Sequence, residues 1–170
     1  MTRSNSIPSD GRIVDTMIQL ARAAKLYRMI VAGSNSPEVF LELHLRGHLR
    51  ATTAKLCDVP CGQFDVALVA WREPSTKALE TTLAHLVLFL SGAGVLVVWA
   101  GPRERMPNHT LRLAVEKLGF RIESATCCEN GVAVCARRLQ GGRSFGRLLR
   151  PTPDIERPAT RRQIAARDRA

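Results

Sequence analysis

Two kinds of apolar pattern alternate along this chain. Short runs that are apolar at nearly every position, interrupted only by Arg28 and Asp65 near their starts, mark buried strands, and they fall at residues 27–32, 64–71 and 95–100. Between them, apolar residues recur every three or four positions, as on one face of a helix. Ile13, Met17, Leu20, Ala21 and Ala24 form such a face over residues 11–25, with Asp10 placed to cap it. A second helix is predicted from Ser36, with Ser36 as cap, Pro37 at the first helical position and Glu38 at the positive end, stopping near Gly47. A third opens at Pro74-Ser75 and carries Leu79, Leu83, Leu86, Val87 and Leu90, with Gly92 and Gly94 as its stop. A fourth spans residues 107–118 and ends at Gly119. Residues 52–56 are a short strand candidate. Residues 120–127 and 132–138 are predicted to pair antiparallel across a turn at Glu129-Asn130-Gly131.

Strands apolar on both faces, alternating with helices, predict an α/β fold: a mostly parallel sheet between two helical layers, closed by an antiparallel strand pair. The predicted organisation is a disordered lead over residues 1–10, one α/β domain over 11–138 and an Arg-rich, disordered tail over 139–170. There is no internal repeat.

The chain has 170 residues and is 45% apolar, enough for one domain with a real core. The longest apolar stretch, residues 86–100, is interrupted by Ser91-Gly92-Ala93-Gly94, and each half is too short to span a bilayer. No apolar segment follows the first residues, so no signal peptide is expected and a cytoplasmic location is the default. The five cysteines, Cys57, Cys61, Cys127, Cys128 and Cys135, are odd in number and lack paired CxxC spacing, which favours ordinary reduced thiols over a zinc site. The net charge of +10 is unevenly placed. Residues 137–170 hold ten Arg against three acidic residues, a net +7, leaving +3 for the rest. Such a tail can attract nucleic acid or another acidic partner, or be a solvated end without one.

The run Met29-Ile30-Val31-Ala32-Gly33-Ser34-Asn35-Ser36-Pro37-Glu38 holds the clearest candidate chemistry. A strand ending in a glycine turn before a helix presents free N–H groups and a positive dipole end to a ligand. The later half, Phe64-Asp65-Val66-Ala67-Leu68-Val69, Ala78-Leu79-Glu80, the run from Leu88 through Gly92-Ala93-Gly94 to Val98, and Leu118-Gly119-Phe120, resembles compact class I S-adenosylmethionine-dependent methyltransferases in wording and order. The resemblance covers residues 27–138 and implies a Rossmann-like three-layer sandwich with the cofactor at the end of the first strand. On that alignment Gly33, Ser34 and Asn35 would hold the cofactor, and Asp58 would stand near its adenine. Trp71 and Arg72 would face substrate, with Glu73 beside them as a base. The first motif is altered: Val31 replaces an acid, and Asn35 replaces a glycine, whose backbone tolerance asparagine best imitates. Between Leu45 and Leu56 there is no acid to grip the ribose, only Arg46, His48, Arg50 and Lys55, and that stretch is too short for a full strand–helix–strand.

Each candidate has a plainer alternative. The alternative for Asp58 is a loop aspartate that caps a turn. The alternative for Trp71 is closure of the core edge, with Arg72 and Glu73 solvated. His44 and His48, four apart but without a third ligand, are expected at the surface, and His85 is expected to be partly buried in its helix. Asp65 is expected as a strand-start residue. No metal is implied. Two functions follow: a small S-adenosylmethionine-dependent methyltransferase acting on a small-molecule or macromolecular acceptor, or a non-catalytic binding or regulatory protein on the same fold, with the basic tail engaging nucleic acid or an acidic partner.

Overall fold

Small and β-branched residues set the sheet, and helix caps set where the chain turns back over it. The computed structural model describes residues 9–56, 62–101, 107–128 and 131–139. In chain order the elements are α1 (Ser9–Ala21), β1 (Met29–Gly33), α2 (Ser36–Leu45), β2 (Ala51–Thr53), a 3-10 turn (Ala54–Leu56), β3 (Phe64–Trp71), α3 (Thr76–Phe89), β4 (Leu90–Ala100), α4 (Asn108–Lys117), β5 (Phe120–Cys128) and β6 (Gly131–Arg138). The predicted lead before Ser9, Asp58, and the tail from residue 140 lie outside the described residues.

The six strands lie in the order β2-β1-β3-β4-β6-β5. The pairs β1–β2, β1–β3 and β3–β4 are parallel, while β6 runs antiparallel to both β4 and β5. Alternate residues of one strand serve opposite cores, as the two-residue period requires. Met29 and Val31 of β1 pack with Val14, Met17, Val39 and Leu43 of α1 and α2. Ile30 and Ala32 pack in the other core, with Leu79, Leu83 and Leu86 of α3 and Leu111 and Val115 of α4. A sheet between two helical layers results, as the pattern predicted. Each fully buried leucine contributes roughly 1.5–3 kcal/mol of apolar burial.

Four helix boundaries depart from expectation. α1 ends at Ala21 rather than near Lys25, because Arg22 adopts φ +49 and closes the helix. The amides of Arg22 and Ala23 donate to Gln19 O and Ile18 O, both at 3.1 Å, a left-handed helix stop built on arginine in place of glycine. Asp10 lies inside this helix rather than at its cap. The N-cap of α2 is Asn35, not Ser36, which is the buried first residue of the helix. α3 ends through Leu90 in an extended conformation and passes straight into β4, so Gly92 and Gly94 stop no helix. They lie in an irregular stretch of β4: between the pairs Phe64–Leu90 and Val66–Val95, β4 advances five residues while β3 advances two.

The region from Leu45 to Leu56 is contracted, as its length predicted. β2 has only three residues and runs directly into the 3-10 turn. No helix among the described residues is long and apolar enough to cross a membrane.

Candidate functional site

The connections leaving the neighbouring strands β1 and β3 run in opposite directions: α2 leads outward from β1 to β2 on one face, and α3 leads outward from β3 to β4 on the other. At such a reversal the two outgoing connections lie on opposite faces of the sheet, and a crevice opens beyond the carboxyl ends of the central strands. Here that crevice is a cleft of about 560 Å³, within the size range of small-molecule sites. Its walls come from four places. The end of β1 and the turn after it give Val31, Ala32, Gly33, Ser34 and Ser36; the turn after β2 gives Ala54 and Lys55. The end of β3 gives Trp71 and Glu73, and α3 gives Ala78, Thr82 and His85.

Gly33 is fixed by packing. Its φ is +106, and a Cβ placed there would collide with the carbonyl oxygen of Ala70 on β3. The same carbonyl accepts the Ser34 amide at 3.0 Å. The Ser34 hydroxyl makes two further links: its Oγ donates to Glu73 Oε1 at 3.2 Å and accepts the Arg72 amide at 3.4 Å. Ser34 therefore fastens the turn after β1 to the end of β3, and both its amide and its hydroxyl are engaged in doing so.

Asn35 lies just outside the cleft wall. Its φ is −112, so a glycine's freedom is not needed there. Its side chain makes no capping bond, and its carbonyl accepts the Val39 amide at 3.1 Å. Pro37 lies in the first turn of α2, where its missing N–H leaves no intrahelical bond unmade.

Trp71 is 4% exposed and packs in the core shared with α3 and α4 while lining the cleft. It closes the core edge, as the plainer reading expected, and one side of it borders the cleft. Its indole nitrogen is buried without a hydrogen-bond partner among the described residues. Arg72, next in the chain, is half-buried and carries its guanidinium over the Trp99 ring, 5.6 Å from the centroid. Trp99 belongs to the core on the α1/α2 side, so Arg72 and the cleft-lining Trp71 serve opposite faces of the sheet.

Other candidates fall elsewhere. Asp65 is at the far end of the sheet, where its Oδ2 accepts the Arg28 amide at 2.9 Å, a strand-start role as expected. His44 stacks on Phe40 at 4.2 Å and bonds its carbonyl. His48, expected at the surface, is 4% exposed. Burial, then the charges of Lys25 and Arg46, push its imidazole below the ordinary value. His85, expected to be partly buried, is exposed with its ring edge-on to Phe89, and its neighbours on the cleft wall include Thr82 one turn earlier. The Cys135 thiol is buried, donates to Leu20 O and is pushed up by burial, which suits an inert packing group. Cys57 and Cys61 lie outside the described residues. Among the described residues no three His, Cys, Asp or Glu side chains converge as metal ligands.

Sequence reasoning thus found Gly33, Ser34 and Trp71 on the cleft wall and missed Lys55, Thr82 and His85 there. Ala78, Thr82 and His85 recur at helical spacing on α3, a stripe of small and polar residues beside the apolar one. That stripe is visible in the sequence once the helix is drawn.

No protein-family model matches the sequence, and no curated protein sequence matches it. Solved structures do match its fold. Magnesium protoporphyrin IX methyltransferase from Synechocystis PCC 6803, solved with S-adenosylmethionine bound, superposes with a TM-score of 0.54 at 12% identity, over 82% of this chain and 86% of that one. The 1,6-didemethyltoxoflavin-N1-methyltransferase of Burkholderia thailandensis, with bound 1,6-didemethyltoxoflavin and S-adenosylhomocysteine, gives 0.55 at 13% identity, over 76% of this chain and 78% of that one. A methyltransferase from Aquifex aeolicus that depends on S-adenosylmethionine gives 0.53 at 12% identity, over 78% of this chain and 99% of that one.

Proposed function

We propose that this chain, whose fold is that of class I S-adenosylmethionine-dependent methyltransferases, binds S-adenosylmethionine in the cleft beyond β1 and β3 and acts on a small-molecule methyl acceptor. One observation carries this reading: a cleft of about 560 Å³ lies at the reversal point of the sheet, with Gly33 and Ser34 on one wall and Trp71 and Glu73 on another. The donor set suits a cation with an apolar body. Glu73 offers a carboxylate, Trp71, Ala32, Ala54 and Ala78 offer apolar surface, and Ser36 brings the first turn of α2 to the wall. Asn35 borders this wall at the cap of α2, and Asp58, near the adenine on the family alignment, is its further candidate partner.

When bound, this cofactor supplies an electrophilic methyl group. The protein's own contribution to such chemistry is mostly alignment and exclusion of water, which need no dedicated acid–base pair. Trp71 gives a rigid apolar wall, whereas Arg72, read from the sequence as a substrate-side residue, is held over Trp99 on the other face of the sheet and does not line this cleft. Amide hydrogen exchange tests the placement. With S-adenosylmethionine present, residues 33–36 and 71–73 exchange more slowly; unchanged exchange in both segments at saturating ligand overturns it.

A further inference from the structure

The cleft has a charge pattern that the family resemblance does not anticipate. An acid is expected after the second strand, yet the residue lining the cleft there is Lys55. The carboxylate that does line the cleft is Glu73, at the end of β3. Glu73 is exposed, and Ser34 holds its Oε1 at 3.2 Å while bonding the Arg72 amide next to it. Ser34, by contrast, has both its amide and its hydroxyl engaged within the protein.

From this juxtaposition we infer that Glu73, reached from β3, recognises the cationic end of the cofactor, and that Ser34 positions Glu73 rather than gripping the ligand. This rests on the proposed binding of S-adenosylmethionine. A carboxylate accepts hydrogen bonds only, so its partners are ammonium, hydroxyl or N–H groups. The ligand carries an ammonium, a sulfonium and a carboxylate at one end, a net positive charge, and acceptor-rich, uncharged adenosine at the other. Electrostatics fixes which end goes where. The cationic end beside Glu73 is attracted, and the same end beside Lys55 is repelled. The adenosyl end, rich in ring nitrogens and ribose oxygens, takes donors from Lys55. The swapped charges thus hold the ligand in one direction, with the ribose served by a cationic donor in place of an acid.

Two ligands separate this from a general role for Glu73 in shaping the cleft. S-adenosylmethionine carries the ammonium, sulfonium and carboxylate, net positive; 5′-methylthioadenosine keeps the adenosyl thioether and lacks all three charges. Calorimetric titration of the full-length wild-type, Glu73→Gln and Ser34→Ala proteins with each ligand is the test, with thermal unfolding to verify folding. Glu73→Gln is expected to weaken S-adenosylmethionine about tenfold, the loss of one charge-assisted hydrogen bond, and to leave 5′-methylthioadenosine within about twofold. Ser34→Ala, which loosens Glu73 but keeps its charge, is expected to give a smaller loss, about threefold, for S-adenosylmethionine alone. Wild-type binding with Glu73→Gln unchanged, or with both ligands weakened equally, overturns the role of Glu73 and leaves the cofactor reading intact. No binding of either ligand by the wild type overturns the cofactor reading and this inference together.

Discussion

Replacing Gly33 with alanine tests how the two central strands are held at the cleft. The added methyl meets two separate penalties. At φ +106 an L-residue is strained, which costs roughly 1–2 kcal/mol. The new Cβ would also collide with the Ala70 carbonyl, a backbone atom of β3 that cannot rotate away as a side chain would. Relief requires β1 and β3 to separate locally, at roughly 1–3 kcal/mol of packing, and weakens the Ser34 N–H bond to that carbonyl, worth about 1 kcal/mol. The total is on the order of 3–6 kcal/mol, a large part of the roughly 5–15 kcal/mol that holds a domain together. For a protein of this size, thermal unfolding should fall by about 10 °C or more. Gly47→Ala is the internal control. Its φ is +85, but the nearest atoms to its Cβ belong to the Lys25 side chain, from 3.7 Å. That variant meets only the backbone strain and should lose a few degrees, about 2–4 °C per kcal/mol. If Gly33→Ala is no less stable than Gly47→Ala, the close approach of β1 to β3 is wrong.

Two pH-dependent predictions follow from groups outside the cleft. Protonating His48 is disfavoured in the fold, chiefly by burial, so its contribution is intact above its ordinary value of 6.5 and stability is lost as pH falls through it. His48→Leu should flatten this loss in urea titrations at pH 7.5, 6.5 and 5.5, where one proton accounts for up to about 1.4 kcal/mol per pH unit; an unchanged pH slope refutes it. The Asp15 carboxyl is held below the usual range, first by its hydrogen bond from Arg46 at 2.7 Å, opposed by desolvation. This link between α1 and α2 stabilises above the ordinary carboxylate range and is lost as pH falls through the lowered value. The pair is exposed and screened, so Asp15→Asn should cost about 0.2–1 kcal/mol at neutral pH, less in high salt and nothing in strong acid. A cost that persists at acid pH argues against the ion pair.

Periodicity made the sheet and its helices legible because burial on both faces leaves a continuous apolar string. Phe64–Trp71 has the bounds its composition predicted, since every residue from Val66 to Trp71 is buried. The closing pair was legible for another reason, the turn signal at Glu129-Asn130-Gly131, since β5 beyond Phe120 is largely exposed. Boundaries set by backbone geometry were not. Arg22 stops α1 in a conformation that its side chain does not advertise, and Gly92 and Gly94 signal a turn where β4 only bends. In the site, Gly33 was legible as a glycine turn, but its reason, the Ala70 carbonyl across the strand gap, needs the pairing of β1 with β3. Glu73 and Lys55 stand eighteen residues apart in sequence, and only the topology brings them to one cleft. His48 looked like a surface residue because its burial comes from the turn between α2 and β2, not from any local pattern.

Isothermal titration of the full-length protein with S-adenosylmethionine, followed by S-adenosylhomocysteine, tests the central claim most directly. The cleft predicts one saturable site per chain for each ligand, with a dissociation constant below about 100 µM, or roughly −5.5 kcal/mol. The two ligands should compete. Absence of binding heat and of any rise in unfolding temperature with about 1 mM of either ligand would contradict a cofactor site at the end of β1.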